Sequence, residues 1–277
     1  MPLSINSVIT LANGVRMPLL GFGTYKVTGD ETVEASVLAA LEAGYRSIDT
    51  ASMYENEVAI GRALRESGVP RDELFIATKC WNDEQGYAQG LAAFERSRER
   101  LGLEYLDLYL VHWPFAAHYA DTWRAFEELY AGGLVRAIGV CNFLPVHLEA
   151  LRAVATVMPM VDQVEFHPRL QQPELVAYCR TAGIALEAWA PLMRGGVAEI
   201  AEIAVIARRH GVTPAQVAIR WLLQRDIITI PKSVHVDRIR ENADVFAFEL
   251  TAEECATLDA LDTGERVGRH PDSWDLT

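Results

Sequence analysis

Three ionisable side chains close three successive apolar runs of the sequence, about thirty residues apart. Asp49 ends the first run, Lys79 the second and His112 the third, and Tyr54 follows shortly after Asp49. A free tyrosine, with a pKa of ~10, is a poor acid at neutral pH. A neighbouring Lys79 ammonium would stabilise the phenolate and lower that pKa. The four side chains therefore predict a site where Tyr54 gives a proton to an oxygen that His112 also hydrogen-bonds, while Asp49 holds Lys79 charged.

Each of these residues has an ordinary structural explanation when taken alone. An aspartate after a strand can cap the next helix, a lysine there can be solvated, and a histidine or a half-buried tyrosine can be structural. The functional interpretation depends on whether the chain brings all four side chains to one place.

Short apolar runs alternate with amphipathic stretches along the chain, which is typical of strands followed by helices around a parallel sheet. Eight units of this kind in a chain of this length predict a (β/α)8 TIM barrel, whose chemistry lies at the carboxyl ends of the strands. The predicted strands are residues 17–23, 45–49, 74–79, 106–112, 135–142, 160–166, 184–190 and 227–232.

Local signals mark the first turn and several helix ends. Asn13-Gly14, between two extended runs, predicts an N-terminal β-hairpin with a type I′ turn. Residues 31–44 place Val33, Val37, Ala40 and Leu41 on one helical face and end at Gly44, a C-cap residue. Three helix starts are also predicted: at Asp121, at Thr213-Pro214 and at Thr251, which forms a capping box with Glu254.

The competing architecture is a doubly wound dinucleotide-binding fold. Its fingerprint needs three glycines, and Gly21-Phe22-Gly23 is followed by Thr-Tyr-Lys without the third. The strand count and this gap favour the barrel. No Pro/Ser-rich linker or change of composition divides the chain, so residues 1–277 are predicted to form a single domain.

The composition restricts the possible partners and compartments. The formal net charge of −13 opposes binding to nucleic acid or to an anionic membrane over most of the surface. The four cysteines are scattered and show no Cys-x-x-Cys spacing, which favours free thiols. The N-terminus does not resemble a signal peptide, and no apolar run is long enough for a membrane span. We therefore expect a cytoplasmic protein. We also predict that it is a monomer and that its partner is a small molecule.

Six motifs along the chain resemble those of the aldo-keto reductases: GYRSIDTASMYENE, FIATKCWND, LDLYLVHWP, IGVCNF, VEFHP and IPKSVHVDRIREN. The resemblance covers nearly the whole chain and is strongest to the prokaryotic branch that includes 2,5-diketo-D-gluconate reductases. It implies NADPH-dependent reduction of aldehydes and ketones, such as α-dicarbonyls and keto sugars, to alcohols. It also implies that the catalytic tetrad is Asp49, Tyr54, Lys79 and His112, the same set that the strand ends suggested.

A basic segment after the last predicted strand is conspicuous in this acidic chain. Lys232, His235, Arg238 and Arg240 lie within nine residues, at the usual phosphate site of barrels. By resemblance, Lys232, Ser233 and Arg238 bind the 2′-phosphate of NADPH. The alternative is an ordinary solvated helix start.

The resemblance implies further cofactor contacts along the barrel mouth. Asn142 and Gln163 would hydrogen-bond the nicotinamide carboxamide, Trp189 would stack on the ring, and Cys141 stands where the family often has serine. Glu241 and Asn242 would hold the adenine. The remaining predicted cofactor-binding residues are Gly23, Thr24, Pro191, Leu192 and Val234.

Aromatic residues next to the strand ends predict the substrate pocket, which Tyr25, Trp81 and Trp113 would line together with the loops after the fourth and seventh strands and the C-terminal tail. His167, with Glu165 and His112, offers an alternative metal site. Metal-dependent barrel hydrolases usually carry His-x-His after the first strand, and this chain has none, so no metal is expected. A non-catalytic member that keeps only the fold and the cofactor is the other alternative.

Overall fold

Parallel strands that are buried along nearly their whole length form the centre of the molecule. The structure is a computed structural model and describes residues 2–273. Within those residues the sheet has eight strands that pair in sequence order, from β3 to β10. They are β3 (Gly21–Gly23), β4 (Ser47–Asp49), β5 (Phe75–Cys80), β6 (Leu106–Val111), β7 (Val135–Cys141), β8 (Val161–Glu165), β9 (Ala185–Trp189) and β10 (Ile228–Thr229).

The first and last strands meet and close the barrel, which confirms the predicted fold. Leu20 and Thr229 form a parallel bridge, and the Thr229 amide donates to the Leu19 carbonyl at 2.9 Å. A Cβ atom on Gly23 would lie 2.7 Å from the Ile230 carbonyl oxygen. The Gly-x-Gly sequence therefore serves the close approach of two strands and is not a dinucleotide fingerprint.

Helices connect the strands and cover the outside of the barrel. In the described part of the chain, α7 and α8 both lie between β9 and β10, and α9 and α10 follow β10. The helices are α1 (Asp30–Glu42), α2 (Glu57–Glu66), α3 (Tyr87–Leu101), α4 (Tyr119–Ala131), α5 (Pro145–Arg152), α6 (Pro173–Ala182), α7 (Ala201–His210), α8 (Pro214–Gln224), α9 (Val236–Ala243) and α10 (Ala252–Asp259).

The N-terminal hairpin is present, but its turn differs from the prediction. Strands β1 (Val8–Thr10) and β2 (Arg16–Pro18) pair antiparallel. Gly14 has a φ of +87°, whereas Asn13 does not have a positive φ, and a type I′ turn needs both. The Leu11 amide donates to the Val15 carbonyl, so the loop has three residues. The predicted strand 17–23 accordingly divides between β2 and β3.

The helix signals are mostly confirmed. Val33, Val37, Ala40 and Leu41 are buried on one face of α1. Thr213 and Thr251 are N-caps whose side chains accept from the amides of Gln216 and Glu254.

The prediction that Asp121 caps α4 is wrong. The helix begins at Tyr119, and Asp121 lies in its first turn. The Tyr119 ring packs against Phe143 at 5.3 Å between centroids. This contact stabilises a helix that begins before Asp121.

Two compositional expectations can be compared with the structure. All four cysteines are free thiols, and three of them are buried. No helix among residues 2–273 combines the length and apolar character that crossing a membrane requires.

Candidate active site

A buried ion pair lies at the carboxyl ends of β4 and β5. The Lys79 Nζ donates to Asp49 Oδ1 at 2.6 Å and to the Thr50 carbonyl at 2.8 Å. Both side chains are shielded from solvent. Burial, the largest single effect, disfavours the Lys79 ammonium, but Asp49, Tyr54 and Cys141 together outweigh it and the pKa of Lys79 is raised. An ion pair this deep is stable only with such close geometry, since each charge loses its hydration.

Tyr54 reaches the same ammonium from a short 3-10 helix, Ser52–Tyr54, which precedes α2. Its hydroxyl lies 3.4 Å from Lys79 Nζ. Burial raises the pKa of Tyr54 above its usual value, and Lys79 opposes that shift without overcoming it. The predicted lowering is therefore not the net result, because the loss of water around the phenol outweighs the charge of Lys79.

His112 follows β6 and completes the group. Its ring meets the Tyr54 ring edge-on, with 5.8 Å between centroids. Burial, with a smaller effect of Lys79, lowers the pKa of His112 well below its usual value, so the imidazole is neutral at physiological pH. A neutral imidazole offers one N–H donor. The structure thus brings the four predicted side chains together at one end of the barrel.

Aromatic side chains surround this group. The Tyr25 ring lies 5.1 Å from the Tyr54 ring, and the Trp81 ring lies 4.8 Å from the His112 ring. Trp113 directly follows His112 and is nearly buried, and its carbonyl accepts from Gln85 Nε2. Tyr25 and Trp81 therefore border the mouth directly, and Trp113 follows His112 in the chain.

Asn142 and Trp189 form a hydrogen-bonded platform beside His112. Asn142 has a φ of +66°, a conformation that asparagine tolerates better than most residues. Its Nδ2 donates to the His112 carbonyl at 3.0 Å and to Cys141 Sγ at 3.1 Å. The Trp189 indole Nε1 donates to Asn142 Oδ1 at 2.9 Å. The amide of Asn142 is thereby fixed in orientation.

Gln163 lies deeper in the barrel than the prediction implied. It is in the middle of β8, and its Nε2 donates to Asp49 Oδ2 and to Glu187 Oε2, each at 2.8 Å. Its Oε1 has a weak contact with the Cys141 thiol at 3.6 Å. Gln163 thus orients Asp49 from behind, and the sequence reasoning missed both this role and Glu187. The only sequence signal was a polar residue inside an otherwise apolar strand.

Two other predicted cofactor residues, Thr24 and Gly23, donate hydrogen bonds to backbone carbonyls at strand ends of the mouth. Thr24 is fully buried, and its hydroxyl and amide both donate to the Asp49 carbonyl, at 2.8 and 3.1 Å. The amide of Gly23 donates to the Pro231 carbonyl at 3.3 Å. Pro191 and Leu192 continue the chain after Trp189 and are buried and half-buried, respectively.

Cations gather on the rim of the mouth near α9. Lys232 and Arg238 are exposed, and Lys26 lies close enough to Lys232 to contribute, after burial, to lowering the pKa of Lys232. None of the three forms an ion pair with an acidic side chain among residues 2–273. Three positive charges without an acidic partner favour an anionic ligand.

Lys26 was not predicted, although a signal for it existed. The sequence has only three lysines, Lys26, Lys79 and Lys232, and the structure brings all of them to the barrel mouth.

The other residues of the basic segment have different partners. Ser233 Oγ accepts from the His235 amide at 3.1 Å, and Val234 beside it is exposed. Arg240 pairs with Glu42 at 3.6 Å, away from Lys232. On α9, Glu241 accepts from the Thr213 hydroxyl at 2.8 Å, while Asn242 is buried.

The C-terminal segment is held against the mouth by a second buried carboxylate. Glu165 accepts from the amides of Val267 and Gly268, and Arg266 lies 3.7 Å from it. A Cβ atom on Gly268 would come within 2.3 Å of the Trp189 ring, so the backbone at Gly268 packs directly against the indole. No local sequence pattern indicated this contact. The predicted contribution of the tail can be followed only to residue 273, where the described residues end.

The alternative metal site finds no support in this arrangement. His167 Nε2 lies 3.0 Å from Glu165 Oε1, but the same oxygen accepts from the tail. Across residues 2–273, no group of three or more His, Cys, Asp and Glu side chains could hold a metal ion.

Comparison with known proteins agrees with this geometry. The model of the Aldo/keto reductase family matches residues 19–263. A glyoxal reductase of Bacillus subtilis (strain 168) is 54% identical over 98% of this chain and 99% of its own, and the methylglyoxal reductase DkgA of Yersinia pestis is 46% identical over 98% of each. A crystal structure of a Gox0644 variant in complex with NADPH has a TM-score of 0.93, with 41% identity over 98% of this chain and 99% of that chain. The chain therefore belongs to the aldo/keto reductase family, whose members are oxidoreductases.

Proposed function

We propose that the protein reduces aldehydes and ketones, α-dicarbonyls and keto sugars among them, with NADPH as the reductant and Tyr54 as the proton donor. The observation that carries the proposal is the Tyr54 hydroxyl 3.4 Å from the ammonium of a buried Lys79–Asp49 pair. The similarity to a glyoxal reductase and a methylglyoxal reductase supports small dicarbonyls as substrates.

The residues at the mouth fit the proposed cofactor. Lys26, Lys232 and Arg238 supply positive charge without acidic partners in the described chain, as a phosphate ester requires. Gln163 Oε1 and the second lone pair of Asn142 Oδ1 could accept from a carboxamide NH2 group. The N–H groups of Asn142 and Gln163 are already used within the protein. Both amides would therefore act as acceptors, which refines the role predicted for them.

When bound, reduced nicotinamide supplies the hydride. The protein residues handle the substrate oxygen. The neutral His112 imidazole donates one N–H to the carbonyl oxygen and polarises it. Tyr54 remains protonated at neutral pH because burial raises its pKa, so it is ready to donate when negative charge develops on that oxygen. Lys79 then stabilises the phenolate, and Asp49 keeps the ammonium in place.

The experiment is a turnover assay at 340 nm with methylglyoxal, glyoxal, a keto sugar and a simple aldehyde, each with NADPH and with NADH. We expect turnover of the dicarbonyls with a preference for NADPH. A protein that binds NADPH but reduces none of the panel would instead support a non-catalytic member of the family.

We propose one functional domain over residues 1–277, a monomer and a cytoplasmic location. Analytical ultracentrifugation and cell fractionation would test the last two.

A further inference from the structure

Glu187 is a buried carboxyl group inside the barrel that the proposed reaction does not use. It lies in β9, and only 1% of its surface is exposed. Its Oε2 accepts from Gln163 Nε2 at 2.8 Å, while Oε1 is buried and has no hydrogen-bond partner in the described part of the chain. An ionised carboxylate with one oxygen unpaired in such a place is costly.

The same Gln163 nitrogen also donates to Asp49 Oδ2 at 2.8 Å. Two carboxyl groups therefore share one NH2 group, and a single lysine is available to neutralise them. Lys79 lies against Asp49 at 2.6 Å, so the negative charge resides on Asp49. Two like charges this close do not both ionise easily in a dry interior. The remaining carboxyl, Glu187, holds a proton.

In the described part of the chain, no other nearby group changes this balance. Beside Glu187, Gln163 of β8 and Ile228 of β10 do not ionise. The charged groups that act on it are Asp49 of β4 and Lys79 of β5, and the buried Cys141 thiol of β7 is also near. Burial first, and then Asp49, raise the pKa of Glu187 to about 8, against smaller lowering effects of Gln163 and Lys79.

We propose that Glu187 is a positioning residue of the reductase site, whose protonated carboxyl shares the Gln163 amide with Asp49 and keeps the Lys79–Asp49 pair electrically balanced behind Tyr54. This inference rests on the proposed function. Loss of the proton would add a second negative charge that competes with Asp49 for Gln163 and Lys79. The Tyr54 phenolate would then be less stable, and carbonyl reduction would slow as the pH rises.

The first test is the pH dependence of kcat/KM for methylglyoxal with NADPH. A single group with a pKa of about 8 gives about a tenfold fall between pH 7 and pH 9 when only its protonated form is active. We expect that fall in the wild type. The glutamine of E187Q cannot lose a proton in this pH range. The alkaline fall in kcat/KM should therefore be absent from E187Q, whatever its kcat/KM at pH 7.

A matched control is available in β8. Asp162 is also fully buried, and burial raises its pKa well above the usual value, but neither of its side-chain oxygens hydrogen-bonds the Gln163 side-chain amide or Asp49 in the described part of the chain. D162N should keep the wild-type alkaline fall. If D162N loses it too, or if E187Q keeps it, Glu187 is not the group responsible and the inference is wrong.

The second test does not depend on turnover. Infrared spectra of the cofactor-free protein should contain a carboxylic acid C=O band that titrates near pH 8, is absent in E187Q and persists in D162N. Absence of that band from the wild type would overturn the inference. A wild type that has the band but reduces no carbonyl would refute the proposed function and leave the protonated Glu187 intact.

Discussion

Replacement of Lys79 by methionine tests the buried ion pair, because the side chain keeps its approximate length and loses its charge. Lys79 is fully buried and donates to Asp49, to the Thr50 carbonyl and to Tyr54. The variant leaves the Asp49 carboxylate with the Gln163 N–H as its only hydrogen-bond donor among residues 2–273. Breaking a buried pair from one side costs about 3–5 kcal/mol, a large part of a typical unfolding free energy of about 5–15 kcal/mol.

The activity of K79M should fall by at least two orders of magnitude, of the order expected when general acid catalysis is lost. The D49N/K79M double variant separates the two effects. It removes the unpaired charge, so most of the lost stability should return. Activity should not return, since no ammonium is left to stabilise the Tyr54 phenolate.

The assay combines urea unfolding with initial rates of methylglyoxal reduction, and K232M serves as the stability control. Lys232 is exposed, so K232M should change the unfolding free energy by no more than about 0.5 kcal/mol. A folded K79M with wild-type stability and merely halved activity would refute the coupling between Lys79, Asp49 and Tyr54.

Three further results are expected. Arg238→Ala should weaken NADPH binding about ten- to a hundredfold, because a charge-assisted hydrogen bond contributes ~1.5–3 kcal/mol. NADH binding should weaken much less, and equal losses of affinity for the two cofactors in calorimetry would remove Arg238 from the phosphate site. Gly268→Ala should displace the tail from Trp189, seen as faster hydrogen exchange at residues 266–268, whereas Gly133→Ala, in an open turn, should leave that exchange unchanged. Glu187 keeps its proton in the folded protein at pH values where the unfolded chain has lost it. Its contribution to the unfolding free energy therefore falls as pH rises from about 4.5 to about 8, by up to about 1.4 kcal/mol per pH unit. The unfolding free energy of E187Q in urea, relative to that of the wild type, should increase across that window, and a constant difference would contradict this.

The barrel and its tetrad could be predicted because both depend on strand periodicity. Buried parallel strands are short apolar runs, and residues that close such runs meet at one end of the barrel. The same reasoning places Asp49, Lys79 and His112 together at that end. It also erred by small amounts at element ends, as at Asp121, where packing of Tyr119 shifted the helix start.

The features that could not be predicted depend on contacts between distant parts of the chain. Glu187 and Gln163 are single polar residues inside apolar strands, and the hydrogen bonds that link them with Asp49 form only in the closed barrel. The contact of Glu165 with the amide of Gly268 joins strand and tail across the fold. The direction of the Tyr54 pKa shift was misjudged because burial, which outweighs Lys79, cannot be read from neighbouring residue types.

The central claim is that Tyr54 supplies the proton, and Tyr54→Phe tests it most directly. NADPH affinity from fluorescence and the rate of methylglyoxal reduction would be measured on the same preparation. We predict unchanged NADPH affinity and a rate reduced by about 10²–10⁴-fold, the usual contribution of a positioned general acid. Wild-type turnover by the folded, NADPH-binding variant would contradict the claim.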